Sequence, residues 1–158
     1  MSPRVLETRA PTPADLDYLA LHLRQQDLAE LKASGWEDPR QALEASVNHS
    51  KWTLTAHVDG VPVAVFGCAE HGSLLAPVGV PWMLGTEGVR RHQRVLQRWA
   101  RLYIAGMLEQ YPRLLNAVHA ENTVAIAWLR RLGFAFRPAT PSPTTGAMFH
   151  LFEMSRDV

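Results

Sequence analysis

The sequence predicts an α/β domain, a mixed sheet with helices packed on its faces. Three passages carry that expectation: a hairpin turning at Asp59-Gly60, an amphipathic stretch from Gly88 to Leu108, and a strand that feeds into a short helix between Arg113 and Gly133. With the rest of the chain they imply the order strand, helices, three strands, long helix, strand, helix, two strands.

Residues 4–8 suit an opening strand. Pro11-Thr12-Pro13-Ala14-Asp15 then supplies a turn and a helix start, with Thr12 as N-cap and the helix running from Pro13. Leu16, Leu19 and Leu23 recur at helical spacing, further helical pieces cover 27–33 and 39–48, and Gly35 separates these two. Residues 51–58 read as a strand, Asp59-Gly60 as a two-residue hairpin turn, and 61–69 as the partner strand. A third strand covers 78–85, and its Pro81 argues for an edge, a bulge or a late start. In the helix from Gly88 to Leu108, Val89, His92, Val95, Leu96, Trp99, Leu102 and Tyr103 share one side. Arg90, Arg91, Arg94, Arg98 and Arg101 fall on the other, as a solvated face or a binding stripe. Residues 113–119 form a buried strand, and a short helix after Asn122 ends near Leu132 with Gly133 as its cap. A strand at 134–137, a loop punctuated by Pro138, Pro141, Pro143 and Gly146, and a final strand at 147–154 complete the chain.

The 158 residues, 47% of them hydrophobic, suit one domain spanning 1–158 with a real core. Sixteen Lys and Arg against fifteen Asp and Glu leave a net charge of +1, so no global field points to nucleic acid or membrane, and any basic site is local. Cys68 is the one cysteine. It excludes an intrachain disulfide and fits a reducing compartment, most simply as a small buried hydrophobe. The Met1-Ser2-Pro3-Arg4 start turns charged at Glu7 and Arg9 without an apolar leader, so secretion is not expected. The longest apolar stretch, 74–84, is broken by Pro77, Gly79 and Pro81 and cannot span a bilayer as a helix.

The passage that narrows the fold is Asn116-Ala117-Val118-His119-Ala120-Glu121-Asn122-Thr123, continuing through Ile126, Trp128 and Leu129 to Leu132-Gly133-Phe134. It resembles the segment of the Gcn5-related N-acetyltransferase (GNAT) superfamily in which a strand delivers an Asn to a helix that closes with Leu-Gly-Phe. The opening residues 5–16 also resemble that family's first strand and helix. The resemblance implies a GNAT fold, α/β with a mixed, mostly antiparallel sheet of six to seven strands flanked by helices. On the residues alone Asn122 is a helix cap; the resemblance adds a hydrogen bond to the pantetheine arm of acetyl-CoA. A second family feature is a glycine-rich turn whose peptide N–H groups hold the pyrophosphate. Gly85-Thr86-Glu87-Gly88-Val89-Arg90-Arg91 matches it in degenerate form: Gly88 takes the middle glycine's place, and Arg90 replaces the last small residue. Arg90 either blocks the backbone or joins Arg91 and Arg94 in binding phosphate. Thr86, Gly88, Val89, Arg90, Arg91 and Asn122 are therefore the expected cofactor contacts.

Chemistry in this family needs a base for the amine proton and an acid for the departing thiolate. The acid is commonly a Tyr one turn before Leu-Gly-Phe, where this chain has Leu129. Glu70 and His71, just past the hairpin strand, Glu87 near the phosphate-like turn, and His119 are the candidates for proton transfer, each with an ordinary loop or structural role as the alternative. His22, His49, His57, His71, His92, His119 and His150 are scattered without ligand spacing, and no metal is expected. No nucleophile elbow, Walker turn or dinucleotide fingerprint occurs.

Two functions follow. One is an acyl-CoA-dependent N-acyltransferase acting on an amine acceptor, with the cofactor between the strands ending near Gly85 and Val118. The other comes from a resemblance, through Asn-x-x-x-x-Glu-Asn-Thr-x-x-Ile-x-Trp-Leu at 116–129 and the arginine-rich helix, to GNAT-like internal virion proteins of short-tailed bacteriophages. It implies a virion or host-cytoplasm protein working with portal or DNA-ejection proteins. Among the five tryptophans, Trp36, in the turn at 35–38, is the candidate for an interface or substrate loop.

Overall fold

A computed structural model describes residues 4–156; the expectation attached to Met1-Ser2-Pro3 falls outside them, as do Asp157 and Val158. β1 (Leu6–Arg9) lies antiparallel to β2 (Ser50–Val58), and between them run α1 (Pro13–His22), α2 (Gln25–Ala33) and α3 (Pro39–His49). Thr12 caps α1: its hydroxyl accepts from the Asp15 N–H at 3.1 Å, and the Asp15 carboxylate accepts from the Thr12 N–H at 3.0 Å. This reciprocal box satisfies two otherwise orphan donors. Leu16, Leu19 and Leu43 then pack against Val65 and Leu84 of the sheet.

Asp59 and Gly60, at φ 51° and 80°, join β2 to β3 (Val61–Ser73) by the turn whose twist matches the strands. β3 continues past the expected end at Ala69, because β4 (Ala76–Gly85) pairs with it down to Ser73 and Ala76. Glu70 and His71 are strand residues, not residues beyond a strand.

The single helix expected from Gly88 to Leu108 is broken. α4 (Gly88–Arg91) ends at His92 (φ −116°, ψ 23°), and α5 (Gln93–Gln110) starts beyond it. Leu96, Ile104 and Met107 of α5 are buried, whereas Leu102, expected on that side, is 68% exposed. Leu102 lies about 120° around the helix from Leu96, outside the stripe that meets the sheet.

β5 (Arg113–His119) leads through Asn122 into α6 (Thr123–Leu132), which Gly133 closes at φ 102°. Glycine adopts that left-handed cap without strain. The two-residue strands β6 (Ala135–Phe136) and β7 (Thr140–Pro141) both pair with β8 (Met148–Ser155), β7 within the stretch expected to be loop. The sheet order is β1-β2-β3-β4-β5-β8-β6, with β7 on β8. Neighbouring strands are antiparallel except β4 and β5, which are parallel and register at a single pair, Gly79 with Leu114. α5 and α6 pack on one face around Trp128, Leu132 and Phe152; α1 and α3 pack on the other.

Candidate active site

Beyond Gly79 and Leu114 the two parallel strands part. The β3–β4 register is unbroken from Ala64–Gly85 to Ser73–Ala76, so successive β4 residues turn their peptide groups to opposite edges. Gly85 directs its N–H to Asp27 Oδ2 (2.8 Å) and accepts at its carbonyl from the Arg24 N–H (3.0 Å), away from β3. Gly79, Pro81 and Met83 therefore face the same open edge. The Pro81 carbonyl accepts from Asn116 Nδ2 across the opening at 2.8 Å. A proline is tolerated in mid-sheet here because its missing N–H points where no partner strand lies; of the edge, bulge or late start expected for it, an open edge inside the sheet is what forms. On the β5 side, Ala117 donates its N–H to Asn116 Oδ1 (2.7 Å), and His119 donates its N–H to Glu30 Oε1 (2.5 Å).

One edge of α2 spans this opening. Arg24 Nε donates to Asp27 Oδ2 at 2.9 Å, inside the fold. Glu30 bridges to β5 and α6, its Oε2 accepting from Asn122 Nδ2 at 3.3 Å. Asp27 and Glu30 thus hold peptide donors at the tips of both diverging strands. Burial pushes Asp27 up from its ordinary value, against the Arg24 guanidinium and the Gly85 N–H. Glu30 is pushed up to about 7, by burial first and by the Asp27 charge, against the His119 and Asn122 hydrogen bonds. Sequence reasoning missed all three residues. Their signal is the three-residue spacing of Arg24, Asp27 and Glu30, which reads equally well as a solvated charged stripe.

Behind the opening lies a cavity of about 290 Å³ that runs from Arg24, Asp27 and Glu30, past Met83, to α5 and α6 at Ala100 and Trp128. None of the expected cofactor contacts or proton-transfer candidates lines this cavity, whereas Leu129, at the position where the family commonly has a Tyr, does. Glu70 sits on β3 opposite Gly79, where β4 and β5 are joined. Its carboxylate accepts from the Tyr111 hydroxyl at 2.8 Å, and Lys51 Nζ lies 3.9 Å away. Burial, together with the Glu70 carboxylate, pushes Tyr111 up to about 12. Glu87 is exposed ahead of α4 and makes no side-chain cap bond. His119 is buried at the tip of β5, its ring 5.4 Å from that of Phe149. Asn122 is 1% exposed and engaged at both ends: Oδ1 accepts from the Ala125 N–H at 3.1 Å while the amide donates to Glu30.

The turn from Gly85 to Arg91 is folded onto β3. The Thr86 N–H and hydroxyl both donate to the Val63 carbonyl (2.9 and 3.0 Å). The same hydroxyl accepts from the Gly88 N–H (3.1 Å), and the Val89 N–H donates to the Thr86 carbonyl (3.1 Å). A Cβ on Gly88 would stand 2.7 Å from Val63 Cγ1, and one on Gly85 2.5 Å from Val89 Cγ2. Both glycines are required by packing inside the turn. Arg90 points outward and, with Arg91, lines a separate concavity of about 460 Å³ beside Arg4, His92 and Arg94. Burial, then Arg4 and Arg91, hold His92 below its ordinary value there. Trp36 is 39% exposed. Among the described residues no group of three His, Cys, Asp or Glu is placed to hold a metal, and no helix is long and apolar enough to cross a membrane.

No family model matches this chain, and no curated protein sequence does. Solved structures do. Ard1 from Thermoplasma volcanium matches 97% of this chain with 99% of its own, at TM-score 0.68 and 15% identity. RimL, a ribosomal L7/L12 alpha-N-protein acetyltransferase in complex with coenzyme A, matches 96% with 94% of its own (TM-score 0.67, 11% identity). The ribosomal-protein-S18-alanine N-acetyltransferase from Escherichia coli matches 98% with 96% of its own (TM-score 0.65, 12% identity). The chain has the GNAT fold. At these identities the likeness is one of architecture, and within the GNAT fold the function rests on this chain's own side chains.

Proposed function

We propose that the chain is an acyl-CoA-dependent N-acyltransferase that works at the β4–β5 opening. The observation that carries this reading is the parting of two parallel strands after one registered pair, beside an apolar cavity, in the middle of an otherwise continuous sheet. An unpaired edge inside a sheet is unfavourable until something completes it. An extended arm bearing amides, such as pantetheine, suits that edge, where it would pair with the Met83 peptide group as an added strand does. The Gly88 and Val89 N–H groups are engaged within their turn, so the guanidinium groups of Arg90 and Arg91 are the better phosphate contacts.

In the transfer the amine nitrogen of the acceptor bonds to the thioester carbonyl carbon. The carbon–sulfur bond breaks toward sulfur, the amine loses a proton and the thiolate takes one up. Glu30 borders the cavity with its carboxyl held near neutrality, which suits it to receive the amine proton. His119, at the same end of the opening, is the second candidate, ahead of Glu70 at the joined end and Glu87 outside. Leu129 offers no proton, so the thiolate draws its proton from water. Calorimetric titration with CoA and its thioesters is expected to show one site per chain. Absence of heat with every one of them at millimolar ligand overturns the proposal.

A second reading, a non-catalytic module of a phage particle or its ejection apparatus, draws support from the engaged donors of Gly85, Gly88, Val89 and His119, which leave fewer free peptide groups for a cofactor. Silence toward CoA, combined with recovery of the chain in purified virions with portal or ejection proteins, is the result that favours it.

A further inference from the structure

The cavity behind the β4–β5 opening is graded along its length. Its polar wall, with Arg24, Asp27 and Glu30, lies at the α2 end, and its interior between the sheet and α5 and α6 is apolar. The apolar part owes its space to small side chains: Ala56 and Ala64 from the sheet, Ala100 from α5 and Ala125 from α6 all line it. Larger residues at these four positions would fill it as other cores are filled. The whole cavity, its polar end included, is about 290 Å³, about twice the ~150 Å³ apolar cavity that holds a benzene ring, so the part beyond the polar end has room for a hydrocarbon tail of roughly benzene size or more. An acetyl group uses little of it. Met83 and Met107, both in the lining, are unbranched and adapt to a flexible chain.

We propose that the acyl group this chain takes is a medium-length apolar chain, with the thioester at the polar α2 end and the hydrocarbon tail between the sheet and α5. The proposal rests on the acyltransferase reading and names the donor class for that site. The tail is a spectator in the chemistry. The bond formed joins the acceptor nitrogen to the acyl carbonyl carbon, the bond broken is carbon–sulfur with its electron pair leaving on sulfur, and the proton shed by the amine balances the one taken up by the thiolate.

Burial of a methylene multiplies affinity by roughly four. An octanoyl chain adds six methylenes to acetyl, and after the loss of chain freedom a gain on the order of one hundredfold remains. The test is calorimetry of the full chain with CoA, acetyl-CoA and octanoyl-CoA. The expected result is octanoyl-CoA binding at least about thirtyfold tighter than acetyl-CoA. Ala100→Leu, which fills the tail space, should reduce that preference at least about tenfold; Ala125→Leu is the replacement should Ala100→Leu fail to fold. Equal affinity for the two thioesters overturns the chain-length proposal and leaves the acyltransferase reading standing. A preference that survives both substitutions places the tail elsewhere and also overturns it. Binding of none of the three overturns both.

Discussion

A carboxyl group held near neutrality inside a protein ties folding to pH. For Glu30 the ordinary value is 4.5 and the folded value about 7, so between them the folded chain keeps a proton that the unfolded chain releases. Its contribution to stability is complete below the ordinary value and is lost as pH rises through the folded one, roughly 3 kcal/mol across the interval. Asp27, also raised, acts with the same sign. Glu30→Gln is expected to flatten the dependence of urea unfolding on pH between 4.5 and about 7; an unchanged slope would assign the titration to another group. Asn122→Ala removes the cap on Ala125 and the amide bond to Glu30. It should cost about 1–3 kcal/mol in urea unfolding and raise the Glu30 titration further, readable from its carboxyl carbon shift. A titration that stays in place would show that Asn122 does not sense the Glu30 charge.

At the scale of elements, the joint between β4 and α4 is the most tightly constrained. Gly85 and Val89 touch so closely that a methyl on Gly85 would overlap Val89 Cγ2 at 2.5 Å. Gly85→Ala should therefore destabilise by about 1–3 kcal/mol, and by clearly less when Val89 is already Ala. Strict additivity in that double-mutant cycle would remove the contact as the reason for the glycine. The same packing explains why the turn resembles a phosphate loop without presenting its peptide groups outward. Its glycines serve Val63 and Val89, while Arg90 and Arg91 line a concavity outside it.

For the molecule as a whole, the β4–β5 opening is the place where the sheet is unfinished and where α2 stands in for a missing partner, through hydrogen bonds to the Gly85 and His119 tips. A ligand that completes the edge should raise overall stability with the logarithm of its concentration once that exceeds its Kd. With a CoA thioester at about one hundred times its Kd, the gain is about 2.7 kcal/mol, an increase in Tm of roughly 5–10 °C for a chain of this size. Scanning calorimetry with and without ligand measures it. An unmoved Tm at saturating ligand would mean that the folded and unfolded chains bind alike.

Local chemistry was legible along the chain. Thr12 caps α1, Asp59-Gly60 turns the hairpin, Asn122 caps α6 and Gly133 ends it, because each depends on a few neighbours in sequence. Most of the element order was legible too, whereas Pro81 declared only an edge, a bulge or a late start, and the gap between the strands ending near Gly85 and Val118 was expected from the family resemblance. The inward aim of Arg24, Asp27 and Glu30 was not legible, nor were the break at His92, the extension of β3 or the occupation of the Gly88 donor. The inward aim follows from what lies across the fold, Gly85 and His119 at two strand tips, whereas β3 extends because Ala76 pairs back onto Ser73 and the Gly88 N–H is taken by the Thr86 hydroxyl, itself held by the Val63 carbonyl. By itself the sequence determined the order of the main strands and helices and the caps and turn that depend on near neighbours, but not every boundary: the end of β3, the break at His92 and the short β7 came only with the fold. Only the tertiary structure decided which polar groups face inward, because a buried charge is tolerated solely where distant backbone comes to meet it.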